Sequence, residues 1–185
     1  MEIIIKEIPE EGMQLHLDSK KDGWFRQALS DSLSDLYKTG DKGEGEFELL
    51  RIGVNVDCSG VVDCDCHPTC CRCLKVFPSH MEVPIHLTLA PLYESERQLK
   101  LEQKDEVALV KDDLEFSYYE GDDFNLGGII REQVILALPL QTLCKKNCKG
   151  LCQRCGKDLN EGPCDCKQEQ ADPRWRPLKA FKAKR

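Results

Sequence analysis

Cys144-Lys145-Lys146-Asn147-Cys148-Lys149-Gly150-Leu151-Cys152-Gln153-Arg154-Cys155-Gly156, continued by Leu159, Asn160, Gly162, Cys164 and Cys166, decides how this chain is organised. Six cysteines fall within a short stretch that has too few apolar residues to form a core. A Cys-x2-Cys-Gly unit lets two thiolates reach one ion, and the glycine permits the tight turn beneath it. Metal binding would supply the folding free energy that such a segment lacks. The bland alternative is an unstructured tail with incidental cysteines.

Working outward, a second block holds Cys58, Cys64, Cys66, Cys70, Cys71 and Cys73. Cys70-x2-Cys73 has ligand spacing and needs two more donors, which Cys144-x3-Cys148 can supply. Two four-cysteine zinc sites are therefore expected. Cys70, Cys73, Cys144 and Cys148 would tie body to tail; Cys152, Cys155, Cys164 and Cys166 would lie within the tail. Other groupings of the six C-terminal cysteines remain open, and tetrahedral thiolate sites also accept iron. Cys64 and Cys66 alternate with Asp63 and Asp65, and Cys58 shares the parity of Val54 and Val56. All three are expected in the core, where free cysteine behaves as a small hydrophobe. Cys71 reads as a neighbour of ligands, and His67 as a solvated loop residue.

The rest of the chain reads as an α+β body built on an antiparallel sheet with two main helices. Residues 2–8 read as an opening strand. Trp24, Phe25, Ala28, Leu29, Leu33, Leu36 and Tyr37 recur at helical spacing, with Gly40 as a C-cap. Phe47 to Cys58 and Val61 to His67 read as a hairpin turning at Ser59-Gly60. A strand or strand pair follows from Leu74 to Leu89, then a polar loop over 93–106 and short strands at 107–110 and 114–119. Asp122-Asp123-Phe124-Asn125 offers N-cap chemistry, led by Asp122-Asp123, for a helix running to Leu138 and ended by Pro139. The boundary is placed there: a body over 1–140 and a cysteine-rich module with a basic tail over 141–185. No internal repeat is read apart from the cysteine pairs.

Of the 185 residues, 41% are hydrophobic and 32% charged, as in ordinary globular proteins. No apolar run is long enough to span a membrane, and the N-terminus lacks the features of a signal peptide. A cytoplasmic location is expected, where twelve cysteines point to metal rather than disulfides. The net charge of −7 is unevenly placed: residues 1–143 carry −14 and residues 144–185 carry +7. Nucleic-acid contact would therefore run through the basic end. Its candidates are Lys145, Lys146, Lys149 and Arg154, with Arg174, Trp175, Arg176, Lys179 and Lys182, whose aromatic ring interleaves with charge as in single-strand RNA binders. The competing reading has Trp175, Leu178 and Phe181 dock the tail onto the body.

Phosphate-binding glycine loops and a nucleophile elbow are absent. The enzymatic alternative is a thiol-disulfide oxidoreductase, but neither Cys-x2-Cys opens a recognisable helix after a strand, as thioredoxin-like chemistry requires.

Cys70-x-Arg72-Cys73-Leu74, Arg131-Glu132-Gln133 leading into Leu136-Ala137-Leu138-Pro139, the Gly-Leu-Cys-x2-Cys-Gly block and Asp172-Pro173-Arg174 together resemble the YceD family, the large ribosomal RNA subunit accumulation proteins. The resemblance covers most of the chain after the first 45 residues. It implies a bacterial or plastid factor needed for accumulation of 23S ribosomal RNA, without catalytic activity, whose partner is ribosomal RNA or a ribosomal protein. Shorter members keep ligand-like residues at the positions of Cys70, Cys73, Cys144 and Cys148, which implies that these four form one site. Departures are Asn125, where the family has aspartate, and the extra Cys58, Cys64, Cys66 and Cys71, which leave room for a partial third site.

Overall fold

The structure is a computed structural model that describes residues 1–92 and 116–166. Five strands form the main sheet in the order β2-β3-β4-β5-β6: β2 (Met13–Asp18), β3 (Gly43–Ile52), β4 (Asn55–Cys66), β5 (Ser79–Pro91) and β6 (Phe116–Tyr119). A two-stranded ribbon pairs β1 (Glu2–Ile4) with β7 (Asp123–Asn125). Two helices, α1 (Gly23–Leu33) and α2 (Leu126–Ala137), pack on one another and cover one face of the main sheet.

Alternation explains that layering. β3 reads Gly-Glu-Gly-Glu-Phe-Glu-Leu-Leu with every second residue buried, so Phe47 and Leu49 enter the core while Glu44, Glu46 and Glu48 face water. Phe25, Leu29 and Leu33 from α1 meet Leu126, Ile130 and Val134 from α2 over that apolar face. Buried Ser32 donates to Ala28 O at 2.6 Å and to Arg131 O at 3.3 Å, pinning the helices together without an orphaned hydroxyl. Among the described residues, no helix is long and apolar enough to cross a membrane.

Several boundaries differ from the sequence reading. The hairpin turns at Gly53-Val54, where Gly53 has φ +66, and Ser59-Gly60 lies inside β4. Position 60 has no room for a side chain: a Cβ there would collide with Glu46 O and stand 2.6 Å from the Phe47 ring. Strand β2 was not anticipated. The opening strand stops at Ile4 and becomes a 3-10 turn over Ile5–Glu7. The first helix ends at Leu33, capped by Ser34 in a positive-φ conformation, so Gly40 sits in a later turn rather than at its C-cap. β5 begins at Ser79, not Leu74, and β6 runs parallel to β5, making the otherwise antiparallel sheet mixed. The second helix is capped by Asn125, whose Oδ1 accepts from Gly128 N at 2.9 Å. Asp123 instead pairs in the ribbon, and Asp122 holds Lys6 at 3.0 Å. The expected loop over 93–106 and the strand at 107–110 lie outside the described residues.

Candidate metal centres

The chain makes the same tight turn twice. In the first, Thr69 bridges Val76, Cys70 N donates to Lys75 O at 2.9 Å, and Leu74 N donates to Cys70 O at 2.9 Å. In the second, Leu151 bridges Asp158, Cys152 N donates to Lys157 O at 2.9 Å, and Gly156 N donates to Cys152 O at 2.9 Å. The two segments read Cys-Cys-Arg-Cys-Leu-Lys and Cys-Gln-Arg-Cys-Gly-Lys, so Cys-x-Arg-Cys-x-Lys is an internal repeat that the spacing of cysteines alone did not reveal. The residue after the second cysteine needs φ > 0: Gly156 has +72, whereas Leu74 adopts +58 with its side chain 64% exposed. A non-glycine residue is strained there, at a cost of about 1–2 kcal/mol.

Each turn contributes half of a four-sulfur cluster. Cys70, Cys73, Cys144 and Cys148 have all their Sγ atoms within 4.8 Å of one another, as do Cys152, Cys155, Cys164 and Cys166. In the first cluster Cys70–Cys148 is 3.8 Å and Cys73–Cys144 is 3.7 Å. A tetrahedron with metal–sulfur bonds of about 2.3 Å has edges of about 3.8 Å, whereas a disulfide would require about 2.05 Å. The donor set and its spacing thus fit a tetrahedral thiophilic ion, and both clusters could hold one.

Electrostatics points the same way. Backbone hydrogen bonds from Cys144, Cys73 and Arg72 lower the Cys70 thiol to about 6, and those from Cys155 and Arg154 lower Cys152 to about 6. Cys144, by contrast, is pushed up to about 12 by burial and by hydrogen bonding with the other three sulfurs. Cys166 is pushed up to about 12, chiefly by its hydrogen bond with Cys155. Four sulfurs this close cannot all ionise alone, and a divalent cation removes that obstacle.

The clusters differ in shelter. Cys70, Cys73 and Cys148 are buried and pack with Phe77, Leu143 and Leu151, while Cys155 is exposed. They are also cross-linked. Arg72 Nη1 donates to Cys148 O at 2.9 Å, and Leu151 N donates to Arg72 O at 3.1 Å. Asn160 Nδ2 reaches Cys148 Sγ at 3.3 Å and Asp158 Oδ1 at 2.7 Å, while its Oδ1 accepts from Lys149 N at 3.0 Å. Gly150 has φ +74, and a Cβ there would lie 3.0 Å from Arg72 O. Arg72, Lys75, Asp158 and Asn160 are therefore part of the assembly. Cysteine spacing could not single them out, although the repeated Arg and Lys carried a signal.

The remaining candidates fall as follows. Cys58, Cys64 and Cys66 are buried in the main core, and burial pushes the Cys58 and Cys64 thiols up to about 12. Cys71 is exposed, with its N–H donating to Thr142 O. His67 is not solvated: it is half-buried, 3.2 Å from Asp41 Oδ2, with its N–H on Leu36 O. Lys145, Lys146, Lys149 and Arg154 are exposed on the module. Arg174, Trp175, Arg176, Lys179 and Lys182 lie outside the described residues.

The family profile described as large ribosomal RNA subunit accumulation protein YceD matches residues 58–182, which include every cysteine of both clusters. The chain belongs to the YceD family. Among curated YceD relatives, the chloroplastic large ribosomal RNA subunit accumulation protein YCED homolog 1 of Arabidopsis thaliana is 36% identical over 59 residues, covering 32% of this chain and 18% of that protein. Uncharacterised proteins of Mycobacterium tuberculosis and Mycobacterium bovis are 32% identical over 133 residues, covering 72% of this chain and 58% of theirs. The chain thus spans less than two thirds of the length of these curated relatives. No solved structure matches it. The YceD match begins near the start of β4, so β1, β2, α1 and β3 lie outside it.

Proposed function

We propose that the chain is a non-catalytic cytoplasmic bacterial factor that holds two zinc ions and supports 23S ribosomal RNA accumulation during large-subunit assembly. It does so by binding pre-ribosomal RNA through its basic end, or a ribosomal protein. Membership of the YceD family carries the ribosomal part of this reading. The two four-cysteine clusters, cross-linked through Arg72 and Asn160, support the metal part. In this reading residues 1–140 form the body, and 141–185 form a module whose shape depends on metal. Zinc is favoured over iron because ions without redox chemistry suit closed, structural four-thiolate sites.

Three features weigh against an oxidoreductase. The sulfurs are spaced for an ion, three of the four in the first cluster are buried, and neither Cys-x2-Cys stands at a helix N-terminus. The test combines elemental mass spectrometry of protein purified under reducing conditions with RNA binding at several salt concentrations. About two zinc ions per chain is the expected content. RNA affinity should fall with salt and be lost when Lys145, Lys146, Lys149 and Arg154 are replaced together with the basic residues after 173. Metal-free protein whose thiols turn over a disulfide substrate would overturn the reading in favour of the oxidoreductase.

A further inference from the structure

Among the described residues, the helices cover only one face of the main sheet. Outward positions on the other face are the even residues of β2, β3, β5 and β6 and the odd residues of β4, and among them only Ala90 is buried. The register places Asp18 opposite Glu44, Glu44 opposite Asp63, and Asp63 opposite Glu82. Four carboxylates thus line up in one row across four strands. Like charges directly opposite one another destabilise a sheet, so folding alone gives no reason for such a row. Glu46, Glu48, Asp57 and Asp65 extend the charge along the same face, and no outward position in these strands is lysine or arginine. Histidines stand beside Glu46, Asp57, Asp63 and Asp65, and two lysines outside the strands pair with the row, Lys21 at 3.6 Å from Asp18 and Lys42 at 2.9 Å from Glu44.

One end of this face is different. The register joins Leu50, Asp57, Thr88 and Phe116 in a row, and Ile52 and Tyr118 lie one step beyond. Leu50, Ile52, Phe116 and Tyr118 are 38%, 61%, 44% and 47% exposed. Between the acidic and apolar ends lies a shallow hollow of 340 Å³ walled by Gln14, His16, Glu46, Glu48, Ser59 and Val61. Its size and two carboxylates suit one long cationic side chain.

From this arrangement we infer that the open sheet face is a docking surface for a basic polypeptide, with lysine or arginine on the carboxylate rows and an apolar side chain against Phe116 and Tyr118. RNA is repelled by the same charge that attracts lysine. An anionic lipid surface is repelled likewise. A divalent cation lacks a converging donor set, because the only groups of ligand atoms close enough among the described residues are the two cysteine clusters. Lysine and arginine side chains also bring aliphatic stems that can cover the exposed leucine and isoleucine. Identifying the polypeptide as a ribosomal protein rests on the proposed function; the preference for a basic polypeptide does not.

The experiment uses the zinc-loaded full chain and two fluorescent probes, a synthetic peptide alternating lysine with leucine and a single-stranded RNA. Both are compared on the wild type, on the triple variant Glu46→Lys/Glu48→Lys/Asp57→Lys, and on Phe116→Ala/Tyr118→Ala. Near-ultraviolet circular dichroism and zinc content check folding. The first variant should weaken peptide binding by about tenfold or more and leave RNA binding undiminished. The second should weaken peptide binding while leaving its salt dependence unchanged. Failure of the wild type to bind the peptide overturns the inference, as does equal peptide affinity in the triple variant. RNA competing with the peptide for this face also overturns it. Peptide binding with no RNA binding keeps the inference and counts instead against the RNA half of the proposed function.

Discussion

Lys75, at the foot of the first cysteine turn, reaches Asp158, at the foot of the second, with Nζ 2.9 Å from Oδ2. Glu161 takes a further hydrogen bond from the same ammonium, and the two acids raise the Lys75 pKa above its ordinary value. Asp158 is 8% exposed and held down to about 2, first by the Asn160 amide and then by Lys75. The ion pair therefore joins two turns that are repeats of one another, through the lysine they share and an aspartate that stands where the first turn has Val76.

Replacing Lys75 with methionine should loosen the second turn from the first. Amide hydrogen exchange at Cys152, Gly156 and Leu159 should accelerate, while exchange in β3 and β4 stays unchanged. Asp158→Asn should do the same and remove a pH dependence. Because the Asp158 pKa is depressed when folded, its stabilisation is present above the ordinary carboxylate value of 3.8 and is lost as pH falls toward about 2. The exchange rate at Leu159, compared between wild type and variant at each pH so that intrinsic and metal-linked effects cancel, should differ above 3.8 and converge as pH falls toward about 2.

Gly150→Ala should be costly although the new group is a single methyl. Position 150 needs φ +74, and the methyl would press on Arg72 O at 3.0 Å, where backbone must move. A loss of about 1–3 kcal/mol in module stability is expected, read as a lower chelator concentration for metal release. Gly156→Ala, which meets nothing within 4 Å, should cost only its backbone strain, about 1 kcal/mol.

The twelve cysteines should separate by role on substitution. Cys70→Ser should lower metal content by about one ion per chain, because a closed structural site uses all four ligands. Cys58→Ser should leave metal content intact but bury a hydroxyl in the core, costing about 1–3 kcal/mol. Cys58→Val should be far milder. With burial pushing the Cys58 and Cys64 thiols up to about 12, neither should react with an alkylating reagent in the folded protein at neutral pH.

His80 offers a pH test of the acidic sheet face. Asp65, at 2.9 Å, and Asp63, at 3.3 Å, raise its pKa above the ordinary 6.5. Its contribution to stability is therefore full below 6.5 and disappears as pH rises through the raised value. Nuclear magnetic resonance should find His80 titrating above 6.5, and Asp65→Asn should bring it back down. A His80 titration at or below 6.5 in the wild type would refute the assignment.

Much of this was legible from the residues, for reasons that differ by element. The alternation of Cys58, Cys64 and Cys66 with polar neighbours marked them as buried because a strand has period two. The strong helical spacing around Phe25 and Ile130 marked both helices. The hairpin differs from its sequence reading because Gly60 looks like a turn residue, whereas it leaves room for Glu46 O and the Phe47 ring across the strand pair. Such contacts are invisible until the register is known. β2 went unread although Met13, Leu15 and Leu17 alternate, since a short amphipathic strand carries a weak signal. The parallel pairing of β6 with β5 is not encoded in the four residues of β6, whose alternation suits either direction. Around the clusters, the ligand-type residues stood out by spacing. Asn160 and Asp158 did not, because they act through a fold of the chain that spacing does not encode.

The first cluster joins residues 71 and 78 positions apart, whereas the second is drawn from a single short stretch, Cys152 to Cys166. On a chain emerging from its own synthesis the first set appears before the second, yet the second closes a far shorter loop. The first must wait until β5, β6 and α2 have brought residue 144 back beside residue 73. An ion held there would clasp a loop of 71 residues that contains β5, β6 and α2, so its loss should loosen the body as well as the module.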